Sequence, residues 1–320
     1  QAALKAGLPA SVHAFTLNKV CGSGMKAVMV AYDQIMAGCT NLLVAGGMES
    51  MTNSPYLLTK GRMGYRMGHA PLFDHMMLDG LEDAYAPGTS MGVFAEHTAT
   101  RCGFNRHDQD DFAIHSAQKA LKAQENGCFD DEIITLQDSN GTLNKDEPPL
   151  KVKFEKIPNL KPAFKKDGTI TAASSSSIAD GASALVLMEK EAANEKGYDV
   201  LATLCGHASH SQDPEWFTLA PIGAIQKLLD KLKWTADSVD LYEINEAFAV
   251  VSMAAVKELG IQANKVNIHG GACALGHPLG ATGARIIVTL IHALRKTGKK
   301  RGIAALCIGG GEATAVGIEI

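Results

Sequence analysis

Residues Asn18 to Val28 read NKVCGSGMKAV, with one cysteine set between an apolar residue and a Gly-Ser-Gly bend, and a helix-like pattern directly after it. A cysteine that only fills a core needs no pair of glycines beside it. One that meets a substrate at the mouth of a helix does. Gly22 and Gly24 are expected to keep bulk away from the sulfur, N–H groups at the turn can bind an oxyanion, and a helix N-terminus favours the thiolate. Cys21 is therefore a candidate nucleophile; the alternative is an inert buried cysteine. Upstream, SVHAFTLNKVC (11–21) reads as a strand ending at the cysteine. Downstream, Met25, Val28, Met29, Tyr32, Ile35 and Met36 fall at helical spacing, with Gly38 as a stop. TNLLVAGG (40–47) is a short apolar run bounded by glycines, as in a buried parallel strand. Strand, turn, helix and strand around this cysteine decide for an α/β fold.

The same order recurs near the C-terminus. HPLGATGA (277–284) opens a long apolar helix that stops at Gly298, and AALCIGGG (304–311) and EATAVGIEI (312–320) follow as two strands joined by a glycine bend. In the first half, DGASALVLME (180–189) supplies the corresponding last strand, read as buried. Two related α/β halves are expected, the first carrying an insertion. The division is 1–50 for the N-terminal core half, 51–165 for an inserted loop-rich subdomain, 166–190 for the completion of that half, and 191–320 for the C-terminal core half. Within the insertion, 92–103 and 106–127 look helical, and Met63, Met67, Met76 and Met77 are expected to pack there.

Composition narrows the function classes. The chain has 320 residues, 46% hydrophobic and 20% charged, the profile of a soluble globular protein. With 30 basic and 34 acidic residues the net charge is −4, so no overall basic field exists to hold nucleic acid. The one dense basic run, RKTGKKR (295–301), reads as cations at a helix C-terminus. No stretch approaches the eighteen or so apolar residues of a membrane span. Seven cysteines without a CxxC pair indicate neither a zinc site nor a disulfide framework, and fit a reducing cytoplasm. His207 and His210 have poor metal spacing, so no metal is expected.

Three further residues sit where chemistry is possible. His277, before Pro278, stands at a helix entrance, where a neutral imidazole could take a proton from Cys21; a capping or core role is the alternative. Cys307 ends a buried strand directly before a triple glycine, at the sheet edge where α/β proteins bind ligands, and Gly309 could offer an N–H to an oxyanion. Asn245 ends another strand; its amide could hold a water or carbonyl oxygen, or cap the helix that follows. The serines 174–177 read as a polar turn, or as contacts to a polar ligand arm.

Together the segments NKVCGSG, VAGGMESM, KPAF, DGASALVLM, NEAFA, HGGACALGHPLGATGAR and LCIGGGEA resemble, in order and over essentially the whole chain, the thiolase family and within it the acetyl-CoA acetyltransferases. The resemblance implies a duplicated α/β core in αβαβα layers and a reversible Claisen condensation of two acetyl-CoA to acetoacetyl-CoA and CoA. It implies Cys21 as the acylated nucleophile, His277 as its activator and Cys307 as the base at the α-carbon. Asn245, through a water, and His277 would hold the incoming thioester oxygen; the N–H groups of Cys21 and Gly309 would hold that of the acyl-enzyme. Leu81, Met91, Ala163, Phe164, Ala172, Ser176, Ala247 and Phe248 fall where the family lines the CoA channel. No cofactor is implied, since CoA thioesters are substrates; the assembly implied is a homodimer or homotetramer.

Three departures stand out. The family's opening βαβα segment does not precede Gln1, so the first half is expected to lack its first elements. Ser90 stands before Met91 where biosynthetic members carry histidine. Ala179 stands where an asparagine is usual. Two alternatives remain open at this point: a degradative 3-ketoacyl-CoA thiolase, and a non-catalytic CoA-binding fragment.

Overall fold

The structure, a computed structural model, describes residues 1–138 and 141–320. Its principal elements are α1 (Ser23–Met36), β1 (Leu42–Ser50), α2 (Met91–Cys102), α3 (Arg106–Glu125), β2 (Asp180–Met188), β3 (Thr203–Ser211), α4 (Ala220–Leu232), β4 (Leu241–Ile244), α5 (Ala249–Leu259), α6 (Leu279–Thr297), β5 (Arg301–Ile308) and β6 (Glu312–Glu319). Of the two principal sheets, one pairs β1 with β2 and the other runs β3-β6-β5-β4; two short hairpin-like pairs lie outside them. Only β4 and β5 pair in parallel; the other pairings of these two sheets are antiparallel.

The strand alternation explains the layers. In β5, Ala304 and Leu306 face a core that also holds Met25, Val28 and Met29 of α1 and Ile286, Ile287 and Leu290 of α6. Ile303, Ala305 and Cys307 face a second core with Ala224, Ile225 and Leu228 of α4 and Val250 and Val251 of α5. Both faces of this sheet are covered, so β5 and β6 read as nearly unbroken apolar runs. Helices α1 and α6 form the central layer. On its far side lie β1 and β2, which place Leu43, Ala45, Leu185 and Leu187 against it. Their other face presents Leu42, Val44, Met48 and Val186 to solvent. Four of the five αβαβα layers are thus found among the described residues.

Several sequence expectations change. TNLLVAGG does form a strand, but it pairs antiparallel with β2, and both β1 and β2 are buried on one face only. Residues 11–19 form no strand, and Val20–Gly22 is a 3-10 turn. This segment is largely exposed, and no described strand pairs with it. Met63, Met67 and Met77 are exposed rather than packed, and Met76 is half-buried. The loop that carries the first two has no layer of the described chain to cover it. The basic run behaves as read: Arg295 and Lys296 occupy the last turn of α6, where the helix dipole favours cations.

Glycines bring the central layer unusually close. A Cβ on Gly283 would lie 2.3 Å from the Met25 nitrogen, and one on Gly47 would lie 1.8 Å from the Gly280 oxygen. Both obstacles are backbone, which no rotamer change relieves. Gly283→Ala is expected to destabilise the fold by about 3 kcal/mol. Urea unfolding should show a lower midpoint at unchanged slope; an unshifted midpoint would mean that α1 and α6 separate freely.

Candidate active site

Cys21 is the middle residue of the 3-10 turn just before α1. The preceding Val20 has φ +47°, a left-handed conformation that a β-branched residue rarely takes. Three hydrogen bonds hold it. Val20 N–H donates to Asn18 Oδ1 at 2.8 Å, Lys19 N–H donates to Ser23 Oγ at 2.8 Å, and Ser23 Oγ donates to the Val20 carbonyl at 2.7 Å. The flanking glycines permit close packing. A Cβ on Gly22 would strike Ile308 Cδ1 at 2.3 Å, and one on Gly24 would lie 2.8 Å from the Ala284 nitrogen. The Cys21 turn therefore rests directly on the end of β5 and the start of α6.

That contact aligns the second loop. The backbone N–H groups of Gly309 and of Cys21 itself lie near the Cys21 thiol and favour its charged form. These are the two donors expected for an acyl-enzyme oxyanion hole. The expected lowering of the thiol pKa is not found. Burial pushes it up to about 11, the two N–H groups offset this in part, and the Glu49 charge adds to the rise. Loss of hydration outweighs the helix dipole here. Since only the thiolate reacts, alkylation of Cys21 by iodoacetamide should accelerate about tenfold per pH unit from pH 7 to 10. A plateau near pH 8.5, the range of a free thiol, would contradict this.

Cys307 is 1% exposed at the C-terminal end of β5. Burial raises its thiol above the ordinary range, and the nearby charge of Cys21 raises it further. Asn245 continues β4 beside it: the Asn245 N–H donates to the Ala305 carbonyl at 3.0 Å. It does not cap α5, whose N-cap is Phe248. Its side chain lies 3.5 Å, Nδ2 to Nε2, from His277, and its buried Oδ1 has no hydrogen-bond partner.

His277 is anchored by its N–H to the Ser177 carbonyl at 3.0 Å. Its Nδ1 lies 2.7 Å from Thr282 Oγ1, which donates its own proton to the Pro278 carbonyl at 3.0 Å. The hydroxyl must then accept from Nδ1–H, so the neutral ring keeps Nε2 bare toward Asn245. Burial, aided by the Arg285 charge, lowers the imidazole to about 3. At neutral pH the ring is an uncharged acceptor. Thr282 was not singled out from the sequence; its signal is a hydroxyl residue in the first turn of the helix that His277 precedes. Glu49 was also missed. Its Oε2 accepts from the Gly280 N–H at 3.0 Å and so caps α6.

Cys21, Gly309 and Cys307 thus lie together, and the Asn245–His277 pair adjoins the same end of β5 through the Asn245 N–H on Ala305, giving one candidate cluster. Five of the residues expected along the CoA channel adjoin it. Met91 Sγ lies 3.5 Å from the position of a Cβ on Gly309. Phe164 packs edge-on against Phe248, with ring centroids 5.7 Å apart, and Ser176 donates from both N–H and Oγ to the Ala247 carbonyl at 3.0 Å. Leu81 ends a one-turn segment, Met77–Leu81, next to the Val20–Gly22 turn. Ala163 and Ala172 lie exposed on the 161–173 loop. Among the described residues no group of three or more His, Cys, Asp or Glu side chains could hold a metal ion, and no helix is long and apolar enough to cross a membrane.

Comparison with known proteins agrees with this architecture. Residues 1–191 match the family description "Thiolase, N-terminal domain", and residues 198–320 match "Thiolase, C-terminal domain". A probable acetyl-CoA acyltransferase of Staphylococcus aureus (strain COL) is 46% identical over 320 residues, covering 98% of this chain and 81% of the relative. The Acat5 thiolase from Ascaris suum, solved in complex with coenzyme A, superposes with a TM-score of 0.94 at 41% identity, over 99% of this chain and 81% of that one. The acetyl-CoA acetyltransferase of Bacillus anthracis gives a TM-score of 0.94 at 43% identity, over 99% and 82%. Two domain matches that together span nearly the whole chain, and relatives above 40% identity, lead to one conclusion: the chain belongs to the thiolase family of acyltransferases.

Proposed function

We propose that the chain catalyses the reversible condensation of two acetyl-CoA to acetoacetyl-CoA and free CoA through an acetyl-Cys21 intermediate. The observation that supports this reading is two cysteines near enough to feel each other's charge, Cys21 with the Gly309 N–H favouring its thiolate and Cys307 at the strand end, together with a neutral His277 held against Asn245. In the first half, His277 Nε2 takes the Cys21 proton and the thiolate attacks the thioester carbonyl. The N–H groups of Cys21 and Gly309 hold the oxyanion, and the bond to CoA sulfur breaks. The leaving CoA thiolate takes the proton of Cys307. This leaves a Cys307 thiolate and a His277 imidazolium.

Burial holds the Cys307 thiol above its ordinary range, so its thiolate, once formed, is a strong base. It removes an α-proton from the second acetyl-CoA. Asn245, through a water on its free Oδ1, and His277 Nε2–H support the enolate oxygen. The enolate carbon attacks the acetyl carbonyl, Cys21 leaves as thiolate, and His277 returns its proton. Every group ends as it began. Met91, Phe164, Ser176, Ala247 and Phe248, with Leu81, Ala163 and Ala172, are read as the wall of the CoA arm. Their apolar or small character suits a narrow channel.

Incubation with acetyl-CoA should add one acetyl group to Cys21, found by peptide mass analysis, and release free CoA. Absence of the adduct in folded protein would favour a binding role. Thiolysis should be fastest with acetoacetyl-CoA; preference for long 3-ketoacyl chains would point to the degradative reading instead.

A further inference from the structure

Glu246 is 1% exposed, and no step above uses it. We propose that Glu246 and Asn267 are positioning residues that hold Asn245 for the enolate-forming half of the reaction, and that Ser116 locks this clamp to the inserted region; this rests on the condensing reaction proposed above. Asn245 lies between two clamped neighbours. On one side, Asn267 Oδ1 accepts from the Ile244 N–H at 2.8 Å and its Nδ2 donates to the Ile244 carbonyl at 2.8 Å. The amide side chain thereby stands in for a neighbouring strand at the end of β4. Asn267 is 2% exposed, takes φ +45°, and donates its own N–H to the Tyr242 carbonyl at 2.9 Å.

On the other side, Glu246 Oε1 accepts from Asn267 Nδ2 at 2.8 Å. Its Oε2 accepts from Ser116 Oγ at 2.7 Å and from the Cys273 N–H at 3.1 Å. Burial raises the Glu246 carboxyl above its ordinary range, while three donors and no acceptor, with the Lys119 charge one turn along α3 from Ser116, favour the carboxylate. With both oxygens engaged, Glu246 is not free to move protons; what it does is join three elements. Ser116 Oγ also accepts from the Gly271 N–H at 3.0 Å, and a Cβ on Gly271 would lie 2.3 Å from the Glu246 carboxyl carbon. The loop leading to His277 is thus fitted to the same carboxylate. Every polar atom of this clamp is satisfied except the one that faces the reaction, Asn245 Oδ1.

A clamp on Asn245 predicts a split between steps. The Cys21–Gly309 hole does not depend on it, whereas the Asn245–His277 hole does. Glu246→Gln sets an NH₂ against donors at one of its two oxygens, and Asn267→Asp sets two carboxylates face to face. In both variants of the full chain, acetylation of Cys21 should stay within about threefold of wild type, while condensation and exchange of the acetyl-CoA methyl protons with solvent deuterium should fall about 10²-fold. Ser116→Ala, which removes one hydroxyl, should show the same split at about tenfold and serves if the other two do not fold. Equal loss of both steps, or retention of both, overturns the clamp. Failure of wild type to acetylate Cys21 would instead overturn the condensing reaction itself.

Discussion

Cys307→Ala is expected to accept an acetyl group on Cys21 and then stop. Condensation should fall by about 10³-fold, within the usual reach of a lost general base. Acetylation should fall much less, because the N–H groups of Cys21 and Gly309 remain and His277 still takes the Cys21 proton. The leaving CoA thiolate must then find its proton in solvent. The checks are the mass of the Cys21 peptide after acetyl-CoA treatment and acetoacetyl-CoA formation in the same sample. Loss of both to the same degree would show that Cys307 serves the pocket's shape and not the α-proton. Full condensation in the variant would place the base elsewhere.

The parts of this site that were legible in the sequence share a physical cause. Cys307 and Asn245 stand at the ends of β5 and β4, and sheets covered on both faces show themselves as unbroken apolar runs with glycine or polar residues at the edge. His277 was legible because glycine and proline bracket it. What stayed hidden depends on distant neighbours. The direction of β1 follows from its pairing with β2, well over a hundred residues away in the chain. The role of Gly22 and Gly24 follows from Ile308 and Ala284, which no local pattern indicates. The Cys21 thiol was expected low because a helix start is a local feature; the burial that raises it comes from the assembled layers. Asn267 illustrates the same limit. Its side chain replaces a strand's backbone at Ile244, an arrangement without a sequence period.

Cys21→Ser should lose turnover by roughly 10⁴-fold or more, in the range seen when a nucleophile is removed. In the resting site the thiol lies at about 11 and the imidazole at about 3. Moved alone, the proton would go steeply uphill, from a thiol raised by burial to an imidazole lowered by it. The proposed transfer requires thiolate and imidazolium to form side by side, with the Gly309 N–H favouring the thiolate. An alcohol is a far weaker acid than a thiol, and the same bare Nε2 has no basicity in reserve to ionise it. Any acyl-serine that did form would be an oxygen ester, a poorer donor to the enolate than the thioester it replaces. The substitution changes one atom in a half-buried position, so thermal unfolding should move little while activity collapses. A serine variant that retains more than about one per cent of wild-type condensation would mean that His277 is a much stronger base than its buried, uncharged setting allows.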